Sequence, residues 1–213
     1  LNSDIPALYP VPDKSEMLKA HPEPKLPTDS SMELVAWVSS RCFVERDQMV
    51  KELMKHMSVA SYGKCLHNKD GLEGRAQNMH GKKKQVSRSD ELLLRHPFYL
   101  SIENAQEDTG YMTEKFWRGF LLGTIPVYLG GNAHNVIRRG IMPAGSFVDA
   151  SKFKTMRELA SRLKEIAASP QLYSSFFQWR KSENMSTAFF KAKQADWTDI
   201  QCRICRAIQK GSV

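Results

Sequence analysis

Two five-residue apolar runs, Phe98–Ile102 and Ile125–Leu129, flank a polar stretch from Glu103 to Lys115, an amphipathic run from Phe116 to Leu122, and Gly123. Short apolar runs read as strands, and the 116–122 run repeats at helical spacing. The segment is therefore a strand, a polar loop, a helix starting near Thr113, a glycine stop and a second strand. Upstream the order recurs. Leu34–Val38 is a strand, Ser39–Arg46 a loop, and Val50, Leu53, Met54 and Met57 mark a helix. Val59–Tyr62 then closes a βαβ unit that Gly63 ends. Strands alternating with helices predict an α/β fold with a doubly wound, mainly parallel sheet, whose ligand sites lie at the carboxyl ends of the strands. The loops Ser39–Arg46 and Glu103–Thr113 stand there.

The second loop carries a chemical signal of its own. A helix N-terminus, with free N–H groups and a positive dipole, favours an anion. Lys115 adds a second positive charge where the dipole alone disfavours one, and a ligand phosphate would relieve that conflict.

The remaining chain divides into a proline-rich linker or strap over residues 1–32 (Pro6, Pro10, Pro12, Pro22, Pro24, Pro27), the α/β domain over 33–182, and a C-terminal helix with a Cys-x-x-Cys pair over 183–213. Lys64–Arg88, with Lys82–Lys84, reads as a solvated loop. Ser89 or Asp90 is expected to cap a short helix through Leu94. Asn132–Arg139 is a further short helix and Ser146–Val148 a last strand. Met156, Leu159, Ala160, Leu163, Ile166 and Ala167 form an amphipathic stripe, and Gln171–Lys181 and Ser186–Gln209 are helical in pattern.

A chain of 213 residues with 41% hydrophobic residues can bury one sizeable core. Its net charge of +8 suits polyanions, phosphorylated ligands or anionic membrane surfaces without choosing among them. The Lys82 cluster lacks interleaved aromatics and no nucleic-acid motif is present, which disfavours nucleic acid. No apolar run approaches the roughly 20 residues of a membrane span. The chain opens on Leu1 without a signal pattern, as expected of part of a longer protein. The six histidines show no metal-ligand spacing, and Asn184-Met185-Ser186 is a glycosylation sequon. Cys202 and Cys205 have redox or metal spacing, but zinc would need two more ligands that no nearby Cys pair or His pair supplies. Cys42 follows the first strand and Cys65 the second. Neighbouring parallel strands would bring them together as a disulfide, in an oxidising compartment.

Glu103-Asn104, then Tyr111-Met112-Thr113-Glu114-Lys115, a helix, and Ile125-Pro126-Val127-Tyr128-Leu129-Gly130 resemble the signature of the α1,3-fucosyltransferases. The resemblance extends to Val35–Ser40, Arg46, Ser61–Cys65, Met142–Phe147 and Trp179. Ser3-Asp4-Ile5-Pro6 is similar to the segment that links the family's two domains. It implies the GDP-fucose-binding C-terminal half of an inverting, two-domain GT-B glycosyltransferase, acting on GlcNAc-containing glycans or glycoproteins. The membrane anchor, stem and N-terminal acceptor domain with the carboxylate base would lie outside this chain, and the whole protein would sit in the Golgi membrane, lumenal side. Ser61–Cys65 and Cys202–Cys205 lean toward members that fucosylate the N-glycan core.

Position by position, the resemblance implies that Arg46 and Lys115 meet the diphosphate. It implies that Asn104, Tyr111 and Glu114 make the other donor contacts, to ribose, phosphate or fucose, so that Glu114 and Lys115 are the catalytic candidates. Two fixed cations can neutralise charge on departing GDP, so no metal is required and Mn is at most a stimulant. Cys202 and Cys205 would each pair with the absent domain or with one another. Three features depart from the family pattern: the loop between Asn104 and Tyr111 is one residue longer, Arg41 stands where many members have asparagine, and 64–88 aligns with no family segment. Trp37, Trp117 and Trp179 are read as packing residues. A binding module that holds a nucleotide sugar or polyanion without turnover is the rival function. If a base lies within this half, Glu103, Glu107 and Asp108 are its candidates.

Overall fold

The computed structural model describes residues 26, 33–71, 88–104, 113–130, 144–181 and 209. In chain order these form β1 (Val35–Trp37), α1 (Val44–Met54), β2 (Val59–Ser61), α2 (Arg88–Leu93), β3 (Phe98–Ile102), α3 (Glu114–Leu122), β4 (Ile125–Leu129) and β5 (Val148–Asp149). A 3₁₀ turn (Ala150–Lys152), α4 (Met156–Ala168), α5 (Pro170–Ser175) and a second 3₁₀ turn (Gln178–Lys181) follow. The strands form one sheet in the order β2-β1-β3-β4-β5, with every pairing parallel. The chain leaves β1 in one direction and returns on its other side as β3, so the winding reverses between them. That is the topological switch point, where open parallel sheets place ligands.

Alternate strand residues face opposite layers. Val35, Phe98 and Leu100 share a core with Val50 and Leu53 of α1, Leu159, Leu163 and Ile166 of α4, and Tyr173 of α5. Ala36, Ala60 and Tyr99 point the other way, onto Leu92 and Leu93 of α2 and Leu122 of α3. Leu26 packs half-buried against the first of these layers. The helix α3 is bounded as the local signals require: the Thr113 hydroxyl accepts the Lys115 N–H, and Gly123 ends the helix in the left-handed region, φ 75°. It lies close on β4, because a Cβ at Gly119 would stand 2.7 Å from Pro126 Cγ.

Three expectations change. The last strand is Val148–Asp149, not Ser146–Val148, because Phe147 leaves the ladder to pack its ring on Phe116, 5.2 Å between centroids. The helix α2 begins at Arg88, so Ser89 and Asp90 fall inside its first turn; their side chains instead accept the Arg118 guanidinium at 2.5 and 2.7 Å. The segment Gln171–Lys181 is interrupted after Ser175, where the adjacent Phe176 and Phe177 both turn into the core, and it resumes as 3₁₀. The helices expected at Asn132–Arg139 and Ser186–Gln209, the Lys82 cluster, and nearly all of residues 1–32 lie outside the described residues. No described helix is long and apolar enough to cross a membrane.

Candidate functional site

A cavity of about 330 Å³ opens at the switch point, bounded by the end of β1 (Trp37–Arg41), Arg46 of α1, the end of β3 through Asn104, and Thr113–Lys115 at the start of α3. The loop after β1 and the two described ends of the loop after β3, at Asn104 and Thr113, therefore meet in one place.

Arg46 is only 4% exposed. Its guanidinium donates to Asn104 Oδ1 at 2.6 Å, to Ser39 Oγ at 2.5 Å and to the Arg41 carbonyl. It lies over the rings of Trp37 and Phe43, 5.7 and 5.1 Å from their centroids. Among the described residues, all its hydrogen-bond partners are neutral. Its Nε is buried with no partner among the described residues, and no described carboxylate lies within ion-pair distance. Burial lowers its pKa, but arginine stays charged regardless. A buried cation served only by neutral acceptors is electrostatically incomplete, and an anion entering the cavity would complete it.

Ser39 is itself held from below. Its carbonyl accepts the Cys65 N–H at 3.0 Å, and its hydroxyl donates to the Arg41 carbonyl. Gly63 presses so closely that a Cβ there would stand 2.2 Å from Ser39 O. Cys42 and Cys65 form a disulfide with Cα atoms 5.4 Å apart, tying the β1 loop to the β2 loop.

On the opposite wall, Glu103 is fully buried and its backbone N–H continues the β3–β4 ladder to Leu129 O at 2.9 Å. Its carboxylate accepts the Thr113 N–H at 2.8 Å and the Thr113 hydroxyl at 2.7 Å. Lys115 Nζ donates to Thr113 Oγ1 at 3.0 Å and lies 3.6 Å from Glu103 Oε2. The charge conflict expected to be relieved by a ligand phosphate is thus partly relieved within the chain. Both oxygens of Glu103 are engaged, so it is a clamp on the start of α3 rather than a free base. Gly130 makes room for it: a Cβ there would stand 2.3 Å from the Tyr128 hydroxyl and 3.0 Å from Glu103 Cγ. Burial, with the neighbouring Glu103 and Asp149 charges, raises the Tyr128 pKa.

Of the candidate residues, Arg46, Asn104, Glu114 and Lys115 share the cavity. Asn104 is turned onto Arg46, and the Glu114 side chain is 65% exposed with its carboxylate 3.7 Å from Lys115 Nζ. Tyr111, Glu107, Asp108, Cys202 and Cys205 lie outside the described residues. Trp37 packs as expected and also floors the site. Sequence reasoning missed Ser39 and the clamp role of Glu103. The signal available for both was a polar residue within two positions of a strand's carboxyl end. The described ligand-type side chains that cluster closely enough for a metal are Cys42, Asp47 and Cys65. Both sulfurs are consumed in the disulfide, so this group does not fit a metal.

Comparison with known proteins agrees with this architecture. The sequence matches the family described as glycosyltransferase family 10 (fucosyltransferase) C-term over residues 28–213. It is 33% identical over 185 residues to an alpha-(1,4)-fucosyltransferase of Arabidopsis thaliana, covering 83% of this chain and 44% of that protein. It is 32% identical over 188 residues to alpha-(1,3)-fucosyltransferase 4 of Homo sapiens, covering 86% and 31%. To GDP-fucose protein O-fucosyltransferase 3 of Xenopus tropicalis it is 37% identical over 156 residues, covering 71% and 31%. The fold superposes on a solved alpha1,3-fucosyltransferase with GDP-fucose at a TM-score of 0.52 and 22% identity, covering 68% of this chain and 38% of that one. The chain thus spans less than half the length of these relatives. With the match running through both walls of the cavity, the chain belongs to glycosyltransferase family 10, the fucosyltransferases.

Proposed function

We propose that this chain is the donor-binding part of an enzyme that transfers fucose from GDP-fucose, in α1,3 linkage and with inversion, to a GlcNAc-containing glycan. The observation that carries the reading is Arg46: a buried guanidinium with neutral partners, aimed into a switch-point cavity that also holds the Lys115 ammonium. GDP-fucose presents a diphosphate to both cations. As the bond between fucose and the diphosphate breaks, negative charge grows on the leaving oxygen. Fixed cations in a desolvated cavity stabilise that change more than water does. Glu114, exposed toward the cavity mouth, is suited to accept hydrogen bonds from sugar hydroxyls and to stabilise positive character at the reacting carbon. Asn104 and Tyr111 are assigned the remaining contacts.

The acceptor's proton needs a base. Glu103 is clamped and Glu114 serves the donor, so we assign the base, with most of the acceptor surface, to the part of the whole protein outside this chain. The Cys42–Cys65 disulfide supports an oxidising, lumenal setting for the enzyme, consistent with the Golgi. The relatives act, by name, in α1,3 and α1,4 linkage and on protein hydroxyls. Acceptor choice is therefore tested with a panel containing GlcNAc-bearing glycans and unglycosylated protein.

Calorimetric titration with GDP, GDP-fucose and GDP-mannose tests the donor reading. Charge-assisted hydrogen bonds contribute about 1.5–3 kcal/mol each, so Lys115→Ala and Arg46→Ala should each weaken GDP by roughly 10- to 150-fold. GDP affinity unchanged in both variants refutes the assignment.

A further inference from the structure

Arg46 occupies the first turn of α1, where the helix dipole repels a cation. Its guanidinium is nevertheless confined, and the confinement traces to residues outside the cavity. Ser39 accepts from it, and Ser39 is fixed by the Cys65 N–H on its carbonyl and by the close approach of Gly63. The Arg41 carbonyl also accepts from it, one residue before Cys42. The Cys42–Cys65 bond spans 23 residues and closes this frame covalently: one sulfur stands four residues before Arg46, the other belongs to the residue that holds Ser39. Cys42 is exposed while Cys65 is buried in the core beside Trp37 and Val59, so the bridge runs from the exposed β1 loop into the core.

We propose that the Cys42–Cys65 disulfide is a positioning element for the Arg46 guanidinium, setting the affinity of the site for a diphosphate rather than serving only to stabilise the fold. The proposal rests on the donor-site reading above. A preorganised cation loses little side-chain freedom on binding, whereas a released β1 loop leaves that ordering to be completed when the ligand arrives. The consequence is selective. Affinity for the diphosphate falls when the bridge is absent, and affinity for the nucleoside, which offers Arg46 no anionic group, does not.

The test is a double-mutant cycle in the whole protein, read by titration with GDP and separately with guanosine. Cys42→Ala/Cys65→Ala is expected to weaken GDP about fivefold and guanosine less than twofold. In an Arg46→Ala background, removing the disulfide should leave GDP affinity unchanged. If the double-alanine variant does not fold, wild type reduced by a dithiol gives the same comparison. The S–S bond becomes two thiols as the reductant closes to its own disulfide, and Arg46→Ala under the same reduction is the control. Equal losses for GDP and guanosine, or the same loss with and without Arg46, overturn the positioning role while the donor reading stands. If Arg46→Ala by itself leaves GDP binding intact, the donor reading fails and this inference with it.

Discussion

Replacing Glu103 with alanine tests whether the wall that carries Lys115 is built as described. The carboxylate is fully buried, takes the Thr113 N–H and hydroxyl at 2.8 and 2.7 Å, and lies 3.6 Å from Lys115 Nζ. Hydrogen bonds to a charged group contribute about 1.5–3 kcal/mol each, so the two Thr113 bonds set a gross loss of about 3–6 kcal/mol. Two effects reduce it. The desolvation of a buried carboxylate is no longer borne, and Lys115, with a quarter of its side chain exposed, can turn to water. The orphaned Thr113 N–H cannot, because Thr113 is fully buried. The net expectation is a loss of about 3 kcal/mol, or roughly 6–12 °C in Tm for a chain of this size. Glu103→Gln keeps the shape and one acceptor while losing the charge, and should cost about 1–2 kcal/mol. Glu103→Asp shortens the arm by about 1.5 Å, enough to break both contacts, and should fall near alanine. Urea and thermal unfolding followed by circular dichroism give the ranking. An alanine variant within about 0.5 kcal/mol of wild type would refute the clamp and return Glu103 to the candidates for a catalytic base.

Gly63→Ala places a methyl group 2.2 Å from Ser39 O and 2.4 Å from Ser39 N, both backbone atoms. It should destabilise by about 1–3 kcal/mol and weaken GDP binding through Ser39; unchanged GDP affinity in a folded variant would count against the Ser39–Arg46 linkage. His96 is buried, donates from Nδ1 to Glu33 O at 2.7 Å and accepts the Tyr62 hydroxyl at Nε2, 2.8 Å, and burial lowers its pKa. The unfolded chain, with histidine near 6.5, then binds the proton more readily than the folded one. Stability should therefore fall as pH drops below about 6.5, and this part of the slope should vanish in His96→Asn; equal slopes in the two proteins would remove His96 as its source. The 213-residue chain alone should bind GDP-fucose yet transfer little fucose, because general-base catalysis contributes typically about 10²- to 10⁴-fold and the one carboxylate among the described cavity-lining residues, Glu114, is assigned to the donor. Robust transfer to a GlcNAc-bearing acceptor by the isolated chain would place a base within this half.

The sheet strands and the helices α1, α3 and α4 were legible from the sequence because periodicity is local: it states which face of a segment is buried, and Thr113 and Gly123 bound α3 with signals inside their own neighbourhood. The site was legible to the same extent. Two polar loops each follow a strand, and the parallel winding required by alternating elements puts both at one edge. Tertiary structure decided which polar atoms meet. Arg46 and Asn104 are 58 residues apart, and Glu103 and Thr113 are separated by a polar loop, so no local pattern distinguishes a clamped carboxylate from a free base or a ligand-seeking asparagine from one turned onto an arginine. The strand order, which puts the switch point between β1 and β3, is likewise a property of the assembled sheet. Burial of Arg46 above Trp37 follows from that order, because it brings the α1 start, the β1 loop and the end of β3 to a single edge, where the proposed function has the guanidinium meet a diphosphate.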